Sequence, residues 1–390
     1  MSRCLVVIPA RGGSVGVPRK NLQKVGGIPL VALAVQAARS ARRVDAVAVS
    51  TDDAQIAECA EAFGALVIPR PTDLSGSTAS SEDAIVHALD TVAECGGFSP
   101  TDDDVVVMLQ CTAPFVTAGD IDGILGPVLG GSAQSAFAAC CFNHYIWEQD
   151  KSQGAVGIGE PPGPRLRRQD APARFLEAGS AYAMRVGPFR QERQRFCGKT
   201  AIHEVPAKRV FEIDTPAELE RARRLWPEVF PAVVAARLPD PLEAIVFDFD
   251  GVMTDDRVLV SQDGEECVHC SRADGLGLER LRKTGLKLLV LSKERNPVVT
   301  ARCRKLGIEV LQGRDEKLTD LRAWADSRGL DAGSMIYVGN DINDLECMGW
   351  VGLSAAPCDA HPDVLGAVDI VLPRPGGRGA VRAIADLVLD

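Results

Sequence analysis

LVVIPARGGSVGVPRKN, Leu5 to Asn21, sets an apolar β-branched run against a loop holding three glycines and three basic residues. A buried strand followed by a glycine-rich turn is how an α/β sheet delivers backbone N–H groups to a ligand. The segments that follow repeat the alternation: PLVALAVQAARSA, AVAVS, AQIAECAEAFGA and then VVVML at Val105 to Leu109. Strands alternating with helices of this length predict βαβ units, a parallel sheet, and ligands at the carboxyl ends of its strands. The loop spacing fits neither the P-loop nor the dinucleotide fingerprint, so the kinase and dehydrogenase readings fall away.

The chain has 390 residues, a length that predicts two domains, each able to bury its own core. Its net charge of −10 argues against general nucleic-acid binding, so basic clusters should mark local anion sites. Apolar runs are too short for a membrane span and no signal-peptide pattern precedes the first strand. Twelve scattered cysteines suit a reducing compartment, and the expectation is a cytoplasmic protein. Cys267-Val268-His269-Cys270 has metal-ligand spacing, but no second pair follows; a strand edge is the alternative.

From Cys140 to Tyr182 the pattern breaks into a Pro/Gly/Arg-rich region that reads as an inserted binding or interface segment. A helix-like stretch from Ala217 to Leu225 leads into WPEVFPAVVAARLPDP, whose clustered prolines place a boundary near residue 235. The predicted domains are 1–232 and 243–390. In the second, VFDFDGVMTD closes a strand with Asp248 and Asp250, two carboxylates projecting from one strand end. One can attack phosphorus while the other handles the leaving-group proton, beside a divalent cation. Ser292 after LKLLVLS, Lys317 in GRDEKL, and Asp341 and Asp344 in VGNDINDLE follow in the order such a site needs.

These motifs resemble the haloacid-dehalogenase-type phosphatases across residues 243–390. The resemblance implies Asp248 as nucleophile, Asp250 as general acid/base, Ser292 and Lys317 on the phosphoryl oxygens, and Asp248, Asp250 and Asp341 around Mg²⁺, with Asp344 in support. Hard oxygen donors suit that ion. Only a flap-like RVLVSQDGEECVHCSRADGLGLERL separates the motifs, which resembles the capless subclass acting on phosphates of eight- and nine-carbon keto-sugar acids, commonly as tetramers. Glu294, Arg302 and Lys305 match sugar-contacting positions of the nine-carbon enzymes. GGRGAVRAI, Gly376 to Ile384, resembles a glycine-rich tail laid over a neighbouring subunit's site.

In the first half, the glycine loop is joined by RPTDLSGSTASSEDAIVHAL, LQCTAPFVTAGDID, RRQD, EAGSAY and FEIDTPAELERA, in that order. Together they resemble the acylneuraminate cytidylyltransferases. The resemblance implies CTP held by Arg11, Gly12, Gly13, Ser14, Lys20, Asn21, Arg70 and Ser81, a sugar acid met by Gln110, Arg168 and Tyr182, and Mg²⁺ on Glu212 and Asp214. It also implies that the segment around Arg168 forms a dimer interface. The fold class is therefore α/β, with two Rossmann-like domains: a nucleotidyltransferase-type sheet carrying a dimerisation insert, and a haloacid-dehalogenase-type domain. The expected assembly is a homotetramer.

Three positions depart from the family pattern. Val15 stands where a lysine is common, Glu212 where aspartate is usual, and Ala178 where asparagine is usual. The expected activity couples CTP to a nine-carbon sialic-type acid after removal of its 9-phosphate. The alternatives are a second half that only tetramerises, and an eight-carbon substrate.

Overall fold

The computed structural model describes residues 2–389 except 77–78, 97, 145, 151, 153, 159–166, 168–169 and 171. The chain folds as two units, Met1–Leu22 with Leu30–Asp214, and Gln23–Pro29 with Thr215–Asp390.

The first unit is built on strands β1 (Cys4–Pro9), β2 (Ala46–Thr51), β3 (Leu66–Pro69), β4 (Val105–Leu109), β5 (Ser135–Cys141), β6 (Phe175–Arg185) and β7 (Thr200–Glu204). Their order across the sheet is β7-β5-β6-β4-β1-β2-β3. Strands β3, β2, β1 and β4 run parallel, as the alternation predicts. β6 runs antiparallel to both β4 and β5. The departure from a purely parallel sheet comes from the irregular region after β5. There the chain makes a hairpin of Ile146–Asp150 and Gly154–Ile158, and among the described residues between β5 and β6 there is no crossover helix. Helix α1 (Leu30–Arg39) buries most of its length. Helix α2 (Ala54–Ala62) is capped by the Asp53 carboxylate, which accepts from the Gln55 and Ile56 amides. Ser80 caps α3 (Ser81–Thr91) through the Asp83 amide, which fixes the start of that helix.

The second unit opens with helix α4 (Pro216–Val229), longer than the sequence suggested because Thr215 and Glu218 form a capping box around Pro216. Its sheet joins β8 (Ala244–Phe247), β9 (Lys287–Ser292), β10 (Glu309–Gln312), β11 (Met335–Val338), β12 (Leu353–Ala356) and β13 (Ile370–Val371). The order is β10-β9-β8-β11-β12-β13 and every pairing is parallel. β8 is therefore central and fully buried, and its carboxyl end opens where flanking connections diverge. The Cys267–Cys270 pair lies on a strand, Glu266–Cys270, that pairs antiparallel with Thr254–Val260.

The glycine-rich tail packs against its own domain. Gly377 donates its amide to the Val252 carbonyl at 2.9 Å. Gly379 and Arg382 donate theirs to Asp274 at 3.2 and 2.8 Å, capping helix α5 (Ala380–Leu389). Only glycine permits this approach, since a Cβ on Gly376 would overlap the Gly251 carbonyl. Among the described residues no helix is long and apolar enough to cross a membrane.

Candidate active sites

At the carboxyl ends of β1, β3 and β4, the first unit opens a cavity of about 460 Å³. Arg11, Ser14, Lys20, Asn21, Arg70, Ser81, Gln110, Glu212 and Asp214 all line it, so residues about two hundred positions apart in the chain converge on one cavity. Val15 also lies on the wall, 89% exposed. The floor is anchored by hydrogen bonds. Asn21 donates to the Arg11 carbonyl at 3.0 Å, and Arg11 to the Gly76 carbonyl at 2.7 Å. Arg70 is buried and donates to the Ser50 hydroxyl and carbonyl at 3.0 and 2.6 Å; burial lowers its guanidinium from the ordinary range. Lys20 Nζ donates to the Ile213 carbonyl and the Asp214 carboxylate, both at 2.9 Å. The N-terminus of α3 also faces the cavity through Ser80 and Ser81, adding the positive end of a helix dipole.

The glycine loop works differently from a free amide cradle. Gly12 spends its N–H on Asp52, at 2.9 Å. Its missing side chain admits Asp53, whose carboxylate would stand 2.8 Å from a Cβ there. Arg19 adopts a left-handed backbone, φ 50°, and gives both carboxylate contacts to Asp53 at 3.1 Å, so its charge anchors the loop. Gly13 faces open space. Asp52 and Asp53 were not singled out from the sequence, although two carboxylates after β2 opposite a glycine loop were the available signal.

A shallower cavity of about 310 Å³ shares Glu212 and adds Glu177, Ala178, Gly179, Val210 and Phe211. Tyr182 does not line either cavity. Its ring is 1% exposed in the core, Arg195 lies over it at 4.7 Å, and its hydroxyl donates to Glu177. Burial, with Glu177 beside it, pushes the phenol far up. Arg168 lies outside the described residues.

In the second unit, the predicted phosphoryl-transfer residues meet at the end of β8. Lys317 Nζ donates to Asp248 Oδ1 and Asp344 Oδ1, both at 2.8 Å, with all three side chains buried. Burial alone would lower the Lys317 ammonium, but the two carboxylates outweigh it and hold it above its ordinary value. Burial, with Asp344 adding repulsion, raises Asp248 against the opposing pull of Lys317. Asp250 is pushed up to about 6 by burial, Glu294 and Asp256. Ser292, buried at the end of β9, accepts the Glu294 amide at 3.0 Å. Gly251 has φ 75° and no room for a Cβ against Asn340, which makes the turn after Asp250 a glycine position.

The Asp341 carboxylate is not hydrogen-bonded to Asp248 or Asp250 among the described residues. It is exposed and caps a short 3₁₀ turn, Ile342–Asp344, by accepting the Ile342 amide at 2.7 Å. Its neighbour Asn340 reaches both residues. With its nitrogen turned inward, the Asn340 amide donates to the Asp250 carbonyl at 2.8 Å and to Asp248 Oδ2 at 3.2 Å. Turned over, it would put an oxygen at the same spacing, and about 3 Å separates adjacent oxygens around an octahedral Mg²⁺ with bonds of about 2.1 Å. Among the described residues no three His, Cys, Asp or Glu side chains gather into a metal cluster. The donor set that fits Mg²⁺ is thus Asp248, the Asp250 carbonyl and the Asn340 amide oxygen. Of the expected sugar contacts, Glu294 stands close enough to raise Asp250. Arg302 donates to the Ser271 carbonyl at 3.0 Å and Lys305 is exposed, neither joined to the Asp248 cluster by a hydrogen bond or ion pair.

Comparison with known proteins follows the same division. Residues 5–134 match the cytidylyltransferase family model. N-acylneuraminate cytidylyltransferase of Oncorhynchus mykiss is 29% identical over 395 residues, covering 98% of this chain and 88% of the relative. The 3-deoxy-D-manno-octulosonate 8-phosphate phosphatase of Salmonella typhi is 32% identical over 149 residues, covering 38% of this chain and 79% of that enzyme. A solved HAD family hydrolase from Streptomyces avermitilis MA-4680 is 49% identical, covers 39% of this chain and 87% of its own, and superposes with a TM-score of 0.38. The second half of the chain belongs to the haloacid-dehalogenase-type phosphatases, and the first half is similar to the cytidylyltransferases. The protein is accordingly an enzyme of nucleotidyltransferase and hydrolase type, with one α/β domain for each family.

Proposed function

We propose that residues 1–232 transfer CMP from CTP to a nine-carbon sialic-type keto acid, Neu5Ac or KDN, releasing pyrophosphate, and that residues 243–390 remove the 9-phosphate of its precursor. The observation that carries the first activity is the convergence of Arg11, Lys20, Arg70 and Ser81 on one cavity that also holds Gln110, Glu212 and Asp214. The anomeric hydroxyl of the sugar attacks the α-phosphorus of CTP, the bond to the β-phosphate oxygen breaks, and pyrophosphate leaves. Such a reaction asks for positioning and charge neutralisation. Lys20 exchanges Asp214 for a phosphate when nucleotide enters, and Glu212 and Asp214 are then available to Mg²⁺. Gln110 and the segment around Arg168 receive the sugar acid.

For the second activity, Asp248 Oδ attacks phosphorus while the sugar oxygen departs with a proton from Asp250. Asp250, now a carboxylate, takes a proton from water, which attacks the aspartyl phosphate and frees phosphate. Lys317 and Ser292 hold the phosphoryl oxygens throughout. Asp248, the Asp250 carbonyl and Asn340 would hold Mg²⁺, which would supply positive charge to the phosphoryl group. With one carboxylate and two neutral oxygens, this set carries two fewer negative charges than three carboxylates would.

An eight-carbon phosphate is the second reading for this half, because the Salmonella typhi relative is named for such a substrate. A purely assembling domain is opposed by the intact Lys317–Asp248–Asp344 contacts. We further propose a cytoplasmic homotetramer acting on small molecules, with neither nucleic acid nor membrane as partner. The test is a panel of eight- and nine-carbon keto acids and their phosphates, supplied with CTP and Mg²⁺ and read by phosphate and pyrophosphate release. Nine-carbon compounds should be preferred in both assays. Phosphate release confined to the eight-carbon compound would assign the second half to the other sugar class.

A further inference from the structure

Beside the residues placed in the phosphatase reaction stands a buried polar group that the reaction does not use. Tyr337 sits within β11, fully buried, and its hydroxyl donates to Asp344 Oδ1 at 2.8 Å. A phenylalanine would fill the same volume without a hydroxyl to desolvate, so packing does not account for this oxygen. The hydroxyl shares its acceptor atom with Lys317 Nζ, also at 2.8 Å. The other oxygen, Asp344 Oδ2, accepts the Asn340 and Asp341 amides at 3.0 and 3.3 Å. An ionised carboxylate offers about four lone-pair sites, and here four donors fill them. Gly339 contributes by absence, since a Cβ there would fall 2.5 Å from the Asp344 carboxyl.

We infer that Tyr337 is a positioning residue of the phosphatase site, whose hydroxyl takes the second acceptor position on Asp344 Oδ1 and so fixes the direction from which Lys317 binds. The inference rests on the phosphatase reading given above. An ammonium has three donors. Two are placed on Asp248 and Asp344, and the third serves the phosphoryl oxygen. Without the tyrosine hydroxyl, Asp344 Oδ1 has a vacant site, the ammonium recentres on it, and its aim at Asp248 is lost. The fully paired Asp344 acts as a socket, and Tyr337 closes one side of it.

The test compares full-length wild type, Tyr337→Phe and Asp248→Asn in Mg²⁺, with p-nitrophenyl phosphate as substrate. Loss of an outer-shell partner of this kind costs about tenfold or more. Tyr337→Phe should lower kcat about tenfold with KM held within about twofold. Vanadate inhibition should weaken in proportion to kcat, while inhibition by inorganic phosphate stays constant, because the misplaced charge matters most at five-coordinate phosphorus. An unchanged kcat, or equal weakening of both inhibitors, would overturn the inference. A second measurement does not depend on turnover or on the substrate. In protein labelled with [¹⁵N]lysine, the ammonium resonance that disappears in Lys317→Met should move in Tyr337→Phe, and an unmoved resonance would also overturn it. If wild type and Asp248→Asn hydrolyse the substrate equally, the phosphatase reading fails while the resonance still reports on Tyr337.

Discussion

Asp250 owes its raised pKa to burial and to Glu294 and Asp256, and this gives its protonation a thermodynamic signature. Its folded value of about 6 stands above the unfolded carboxylate value of about 3.9. Between those values the native state binds more protons than the unfolded one, so stability present at low pH is lost as pH rises through the window. In metal-free protein, Asp250→Asn should therefore gain stability over wild type, little at pH about 4 and roughly 1–3 kcal/mol above pH about 7. Urea unfolding in chelator at the two pH values measures it, and a difference that shrinks with rising pH would contradict the assignment. Val15 poses the opposite problem, a missing charge on a cavity wall. A charge-assisted phosphate contact contributes about 1.5–3 kcal/mol, so Val15→Lys should lower the KM for CTP by about tenfold. A KM unchanged within twofold would mean that Arg11, Lys20 and Arg70 already neutralise the triphosphate.

Elements decide which of these residues the sequence could disclose. Asp248, Ser292 and Lys317 were legible because each closes a strand or opens the helix after one, and a parallel sheet sends such ends to one edge. Asn340 was missed because the search was for carboxylates, whereas a neutral side-chain amide meets Asp248 and the Asp250 carbonyl here. Tyr182 was misplaced for a different reason. The pairing of β6 with β5 shifts register between Glu177 and Tyr182, and such an irregularity changes which side chains face the core without leaving a trace in the alternation pattern. The glycine loop was legible as a loop, but not its tether. Gly12 is squeezed between Asp52, which takes its amide, and Asp53, which occupies its side-chain space. Gly12→Ala should push the loop off Asp53 and raise the KM for CTP by an order of magnitude or so, with loss of roughly 1–3 kcal/mol in stability. Equal kinetics in the variant would show that the tether serves folding alone.

Over the whole molecule, two α/β units carry two phosphorus chemistries that ask for different things. The first cavity gathers cations and a helix N-terminus around a site that needs no covalent nucleophile. The second buries a carboxylate against a lysine and pairs it with a second, protonatable carboxylate. Asp248→Asn should therefore abolish phosphate release from sugar phosphates while leaving CTP-dependent pyrophosphate release within about twofold of wild type, and Lys20→Met should do the reverse. Chelation should remove both activities, because each site relies on oxygen donors suited to Mg²⁺. The decisive comparison supplies the phosphorylated sugar and CTP together. Wild type should then release phosphate first and pyrophosphate after a lag, Asp248→Asn should release neither, and adding the free sugar acid to that variant should restore pyrophosphate alone. Pyrophosphate release from the phosphorylated sugar by Asp248→Asn would mean that the transferase accepts the phosphate ester directly, and the order of the two reactions would have to be reversed.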